Sequence, residues 1–122
     1  MGAPMQTFDT WDIIKVPFPY TDRPVRERRP ALVVASGSIQ ELHGLLWVMM
    51  ITSSENRGWS GDVVVSDLKV SGLPVASIVR TAKIATIEAK ESDRVGILPS
   101  ADREAVGTHL QTVLAGVLQT RR

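Results

Sequence analysis

Four arginines crowd one short stretch of this chain: Arg23, Arg26, Arg28 and Arg29. The last of them is followed by Pro30 and the apolar run Ala31-Leu32-Val33-Val34-Ala35. Proline fixes its own φ and drives the preceding residue toward extended backbone. Arg29 is therefore expected to be held at the mouth of a strand, with Arg23, Arg26 and Arg28 in a mobile polar loop. A pinned guanidinium beside a basic loop suits an anion, above all phosphate, whose oxygens match the planar fork. The plainer alternative is a solvated charged loop, in which Asp22 and Glu27 offset half of the charge.

A second group is Thr52-Ser53-Ser54, directly after the apolar run Leu45 to Ile51. Hydroxyls at a strand end often only satisfy nearby backbone groups. The functional alternative is a hydroxyl that donates to a phosphate oxygen. Arg29 begins its run and Thr52 follows the end of the other, so antiparallel pairing would bring them to the same end. His43, between strands, and His109 are the only two histidines, and neither has a zinc-type spacing to a carboxylate or to the other. No phosphate-cradling glycine motif is present. No metal and no cofactor are expected. Trp59, at the tip of a loop over residues 56–60, offers a ring on which a base can stack. Trp47, inside the apolar run, is expected in the core.

The elements that must position these residues are mostly short strands. Ile13 to Phe18 is rich in β-branched residues, and Pro17 and Pro19 place it at an edge or near a strand end. Ala31 to Ala35 and Leu45 to Ile51 are apolar on both faces and read as central strands. Asp62 to Val65, Ser77 to Arg80, Ile84 to Glu88 and Arg94 to Leu98 are further strands, with a turn at Gly72-Leu73-Pro74. From Ser100 the period changes. Ser100 can cap a helix, Asp102 and Glu104 suit its positive end, and Val106, Leu110, Val113, Leu114, Val117 and Leu118 make one apolar stripe. The expected fold is mainly β: a small, strongly curled barrel of antiparallel strands with a C-terminal helix packed on it, closure hiding the strand edges.

Composition sets the outer limits. A chain of 122 residues favours one domain with a real core. It is expected to span residues 11–120, preceded by a flexible leader over residues 1–10. There are no cysteines, which excludes disulfides, thiolate metal sites and thiol nucleophiles. Net charge is +1, so only a local patch can attract nucleic acid. The longest apolar run is too short to span a bilayer, and no secretory signal pattern is visible, which fits the cytoplasm.

Asp12 to Pro19, then Arg29 to Val34, then Ile51-Thr52-Ser53 together resemble the PemK/MazF family of toxins from type II toxin–antitoxin systems. Gly61-Asp62-Val63, Val79-Arg80, Lys83-Ile84 and the closing helix follow in the family's order, so the resemblance covers residues 11 to about 118. It implies an SH3-like barrel forming homodimers, with single-stranded RNA bound in a groove at the dimer interface. It implies a metal-independent endoribonuclease inhibited by a cognate antitoxin. The family's catalytic arginine matches Arg29, and its catalytic threonine or serine matches Thr52, with Ser53 next to it. The RNA-binding candidates are Arg23, Arg26, Arg28, Asn56, Trp59 and Arg80. Two features depart from the family. Trp11-Asp12 stands where it has Gly-Asp, and Glu27 lies only two residues before Arg29, whereas some members carry a functional glutamate several residues earlier. The general base is therefore unassigned. Two alternatives are a toxin of the same fold that poisons DNA gyrase by contact, and a barrel that binds nucleic acid or peptide without turnover.

Overall fold

The computed structural model describes residues 6–18 and 27–119. Six strands run in chain order: β1 (Asp12–Phe18), β2 (Glu27–Ala35), β3 (Leu45–Ser53), β4 (Asp62–Val64), β5 (Ser77–Glu88) and β6 (Asp93–Ile97). Among the described residues three α-helices interrupt or follow them: α1 (Gly37–His43), α2 (Leu68–Ser71) and α3 (Ser100–Leu118). All six strands form one antiparallel sheet in the order β4-β5-β3-β2-β1-β6. The mainly β architecture with a C-terminal helix is thus as expected from the sequence.

The central strands are apolar on both faces because both faces are covered. Ile14, Val16, Ala31, Val33, Val48 and Met50 join one buried cluster, and the alternate residues Ile13, Leu32, Met49 and Ile51 join another. Phe8 seals the first cluster, and Val106 of α3 and Leu98 enter the second. The side-chain period of two makes this division automatic once the strands pair.

Among the described residues no ladder joins the two ends of the sheet. β4 and β6 lie at opposite ends of the strand order, and α2, which follows β4, packs on β6. The approach is backbone to backbone. A Cβ on Gly72, whose φ is +74°, would stand 2.1 Å from the Val95 carbonyl oxygen, and one on Gly96 would stand 2.2 Å from that of Ser71. Only glycine permits this contact. Asp102 of α3 adds a tie, accepting from both the backbone N–H and the hydroxyl of Ser66 at 2.9 and 3.1 Å.

Several expectations change. The strands expected at Ser77 to Arg80 and Ile84 to Glu88 are one strand, β5, because Thr81, Ala82 and Lys83 form an irregularity within it: Met49 pairs with Ile84 but Met50 with Arg80. β1 is an inner strand. Its Pro17 is tolerated because the β6 ladder stops at Lys15. His43 ends helix α1 rather than lying in a loop, and α2 was not anticipated. Ser100 opens α3 without capping it; Pro99 precedes the helix, with no side-chain cap. Of residues 6–10, placed in the leader, Phe8 is buried and Gln40 brackets its backbone with two 2.9 Å hydrogen bonds. Trp11 holds φ +82°, the left-handed region where a glycine in that position costs nothing. Trp47 is 46% exposed rather than core. The α3 stripe is only partly buried: Val106 is covered, whereas Val113, Val117 and Leu118 face out.

Candidate nucleic-acid interface

Pro30 has no N–H to add to a ladder. The β2–β3 register ends one residue later, at Ala31 opposite Met50. Two residues beyond that pair on each strand stand Arg29 and Thr52, on the same face as Ala31 and Met50. Beyond the last paired residues the surface opens into a hollow of about 350 Å³, lined by Arg29, Met50, Thr52, Asn56, Trp59, Arg80 and Lys83. Residues from β2, β3, β5 and the 54–61 connection meet there. The antiparallel pairing therefore does bring Arg29 and Thr52 to one end.

Arg29 keeps its guanidinium about one third exposed, with one Nη 3.1 Å from a Glu27 carboxylate oxygen. Thr52 Oγ1 accepts from the Asn56 side-chain amide at 2.9 Å. That contact uses a lone pair and leaves the hydroxyl proton for another acceptor. Ser53 is on the alternate side of β3. It is not part of the hollow, and its hydroxyl accepts from the Glu55 N–H at 3.2 Å, capping a 3₁₀ turn over Ser54–Asn56.

Arg80 is nearly buried and engaged through Nε and Nη2. Its Nε and Nη2 donate to the two carboxylate oxygens of Asp62 at 3.1 and 2.9 Å, and Nη2 also donates to the Asn56 carbonyl at 2.7 Å. The guanidinium lies 4.2 Å from the centre of the Trp59 ring. Asp62 also accepts from the backbone N–H groups of Gly58 and Trp59. The Arg80 hydrogen bonds, followed by those two backbone donors, outweigh burial and hold the Asp62 carboxyl below its ordinary value, while the same pairing raises Arg80.

Arg28 points elsewhere. It pairs with Asp93 and donates to the Lys15 carbonyl, across β1 toward β6, so it does not line the hollow. Arg23 and Arg26 lie outside the described residues. Sequence reasoning missed Met50 and Lys83 as lining residues. Lys83 is carried to the hollow within the irregular part of β5, which no hydrophobic period announces. Among the described residues no group of three or more His, Asp or Glu side chains converges as a metal site, and no helix is long and apolar enough to cross a membrane.

A family model of PemK-like, MazF-like toxins of type II toxin–antitoxin systems matches residues 9–114. No curated protein sequence gives a significant match. Solved structures similar in fold include MazF from Deinococcus radiodurans, 19% identical, with 90% of this chain and 98% of that one covered at a TM-score of 0.71. A toxin MazF-mt6 of Mycobacterium tuberculosis is 20% identical over 85% of this chain and 96% of its own, with a TM-score of 0.66. An endoribonuclease from a mycobacterial species, solved in complex with its cognate antitoxin, is 20% identical over 98% of this chain and 100% of its own, with a TM-score of 0.67.

Proposed function

We propose, from the premise that this chain belongs to the PemK-like, MazF-like toxin family of type II toxin–antitoxin systems, that it is a sequence-specific endoribonuclease acting on single-stranded RNA in the cytoplasm. The observation that carries the reading is the convergence of Arg29 and Thr52 on one open hollow beside an aromatic ring. A solved structure of similar fold is described as an endoribonuclease, which supports the same reading.

The ribose 2′-hydroxyl next to the scissile phosphate is the nucleophile. Its oxygen attacks phosphorus, the bond to the 5′-oxygen breaks, the leaving oxygen takes up a proton from water, and the products are a 2′,3′-cyclic phosphate and a 5′-hydroxyl. Negative charge gathers on the non-bridging oxygens as the bond forms. Arg29 stabilises that charge as a fixed guanidinium, and Thr52 donates its remaining hydroxyl proton to the same phosphate. Arginine hardly ever deprotonates, so it does not take the nucleophile's proton. Glu27, paired with Arg29, supplies a carboxylate beside it for that role.

The protein acts as a homodimer and is inhibited by a cognate antitoxin. An acidic, disordered antitoxin segment suits the local basic patch, given a net charge of only +1.

The test is one RNA strand with a mapped cleavage site, made with and without the single 2′-oxygen at the scissile step. The intact strand is cut in excess EDTA, and the deoxy strand binds but is not cut. Arg29→Ala keeps its fold and loses on the order of 100-fold or more in rate. Cleavage of the deoxy strand, a magnesium requirement, or normal turnover by Arg29→Ala overturns this mechanism.

A further inference from the structure

Trp59 stands at the rim of the hollow and is 50% exposed, an unusual place for an indole. It is nevertheless anchored at its backbone and packed on one face of its ring. Its backbone N–H donates to Asp62 at 3.1 Å, and Arg80 underlies its ring at 4.2 Å. Arg80 in turn is only 8% exposed and spends its donors on Asp62 and the Asn56 carbonyl. Its charge is matched by Asp62, and its flat face is covered by the ring.

A ring held in one plane before any ligand arrives has lost its rotamer freedom in advance, so binding does not carry that cost again. Arg29, Thr52 and Lys83 line the same hollow, so a strand whose phosphate meets Arg29 passes its neighbouring base close to the indole. Bases stack on aromatic rings with any sequence, but the larger purine face overlaps an indole more fully.

We infer that Trp59 is the stacking platform for an unpaired nucleobase, preferably a purine, flanking the phosphate that Arg29 and Thr52 hold. Arg80 and Asp62 are positioning residues that set the plane of the ring. This inference rests on the ribonuclease reading above, and gives Arg80 a place beneath the ring.

The test uses the RNA strand with the mapped site, its uncleavable deoxy counterpart, and a series in which one base at a time is removed to leave an abasic ribose. On the wild-type protein, one abasic position beside the scissile phosphate raises both KM and the Kd of the uncleavable strand roughly ten-fold or more. On Trp59→Leu the intact strand behaves like the abasic one, so that penalty disappears, and Trp59→Phe restores part of it. Arg80→Lys keeps a charge but loses the flat guanidinium; it shrinks the penalty at that position and leaves the others unchanged. A general loss of folding would move every position together. An abasic penalty at that position identical in the wild type and Trp59→Leu overturns the platform and leaves the nuclease standing. A wild-type protein that binds single-stranded RNA without cutting it overturns the nuclease alone, and the same series is then read by Kd. Absence of both binding and cutting overturns both.

Discussion

Arg29 and Arg80 border the same hollow, yet their surroundings give them different work. Arg29 is the third residue of β2, beyond its ladder with β3 and partly open to solvent, with Glu27 on one side of its fork. Arg80 is closed in by Asp62, the Asn56 carbonyl and Trp59. The difference has a pH signature. Asp62 has its carboxyl lowered below 3.8, first by the Arg80 hydrogen bonds. A depressed acid contributes stability that is fully present above its unfolded value and is lost as pH falls through the folded one. The matching gain on Arg80 is lost only at extreme alkaline pH and is silent in practice. Thermal unfolding of the wild type should therefore weaken below about pH 4 more steeply than that of Asp62→Asn, which is less stable at neutral pH. Parallel acid profiles for the two proteins would show that the pair adds nothing to folding.

At the scale of elements, two irregular features build what regular strands could not. The Thr81 to Lys83 interruption lets β5 serve β3 on both sides of a register shift, and it is braced where the Thr81 hydroxyl donates to the Gly61 carbonyl at 2.8 Å. Helix α2, only four residues long, links the two ends of the sheet. Its contact with β6 depends on missing side chains. Gly72→Ala would force a Cβ to 2.1 Å from the Val95 oxygen at a left-handed φ, and should cost on the order of 2 kcal/mol or more. Gly116→Ala is the control: a Cβ there meets nothing within 4 Å, and the helical position should gain about 0.5–1 kcal/mol. Urea unfolding of the two variants reads both signs. Equal stability of Gly72→Ala and wild type would show that α2 does not close the fold.

Among the described residues, several large apolar side chains gather on one part of the surface. Val113, Val117 and Leu118 of α3 are exposed, as are Trp47 and Ile84 beside the groove that Leu110 and Leu114 line. Surface of this kind marks an association site. We propose it as the face that a homodimer would bury. The double variant Val113→Glu, Val117→Glu changes residues already facing solvent, so the subunit should fold as before while sedimentation shifts from dimer to monomer. Wild-type protein that sediments as a monomer at micromolar concentration would remove the homodimer from the reading.

The sequence by itself determined the apolar centre and much of the hollow. Apolar runs with no polar alternation, such as Ala31 to Ala35, require cover on both faces, and that made them central strands. Arg29 was legible because proline acts on its neighbour locally, without help from the rest of the fold. Thr52, Asn56 and Trp59 were legible from their place after an apolar strand. What only the tertiary structure decided was direction and distance. Thr52 and Ser53 are adjacent in sequence, and the pleat sends one to the hollow and the other to a cap. Arg28 and Arg29 are equally basic, and alternation sends them to opposite sides. Trp47 and the α3 stripe have core periodicity, yet half of that surface stays open because period specifies a face and not what covers it. Arg80, Asp62 and Trp59 are brought into one cluster by β4 pairing with β5 and by the loop preceding β4. Such long-range pairing is set by the register of the whole sheet, which no local pattern of residues contains.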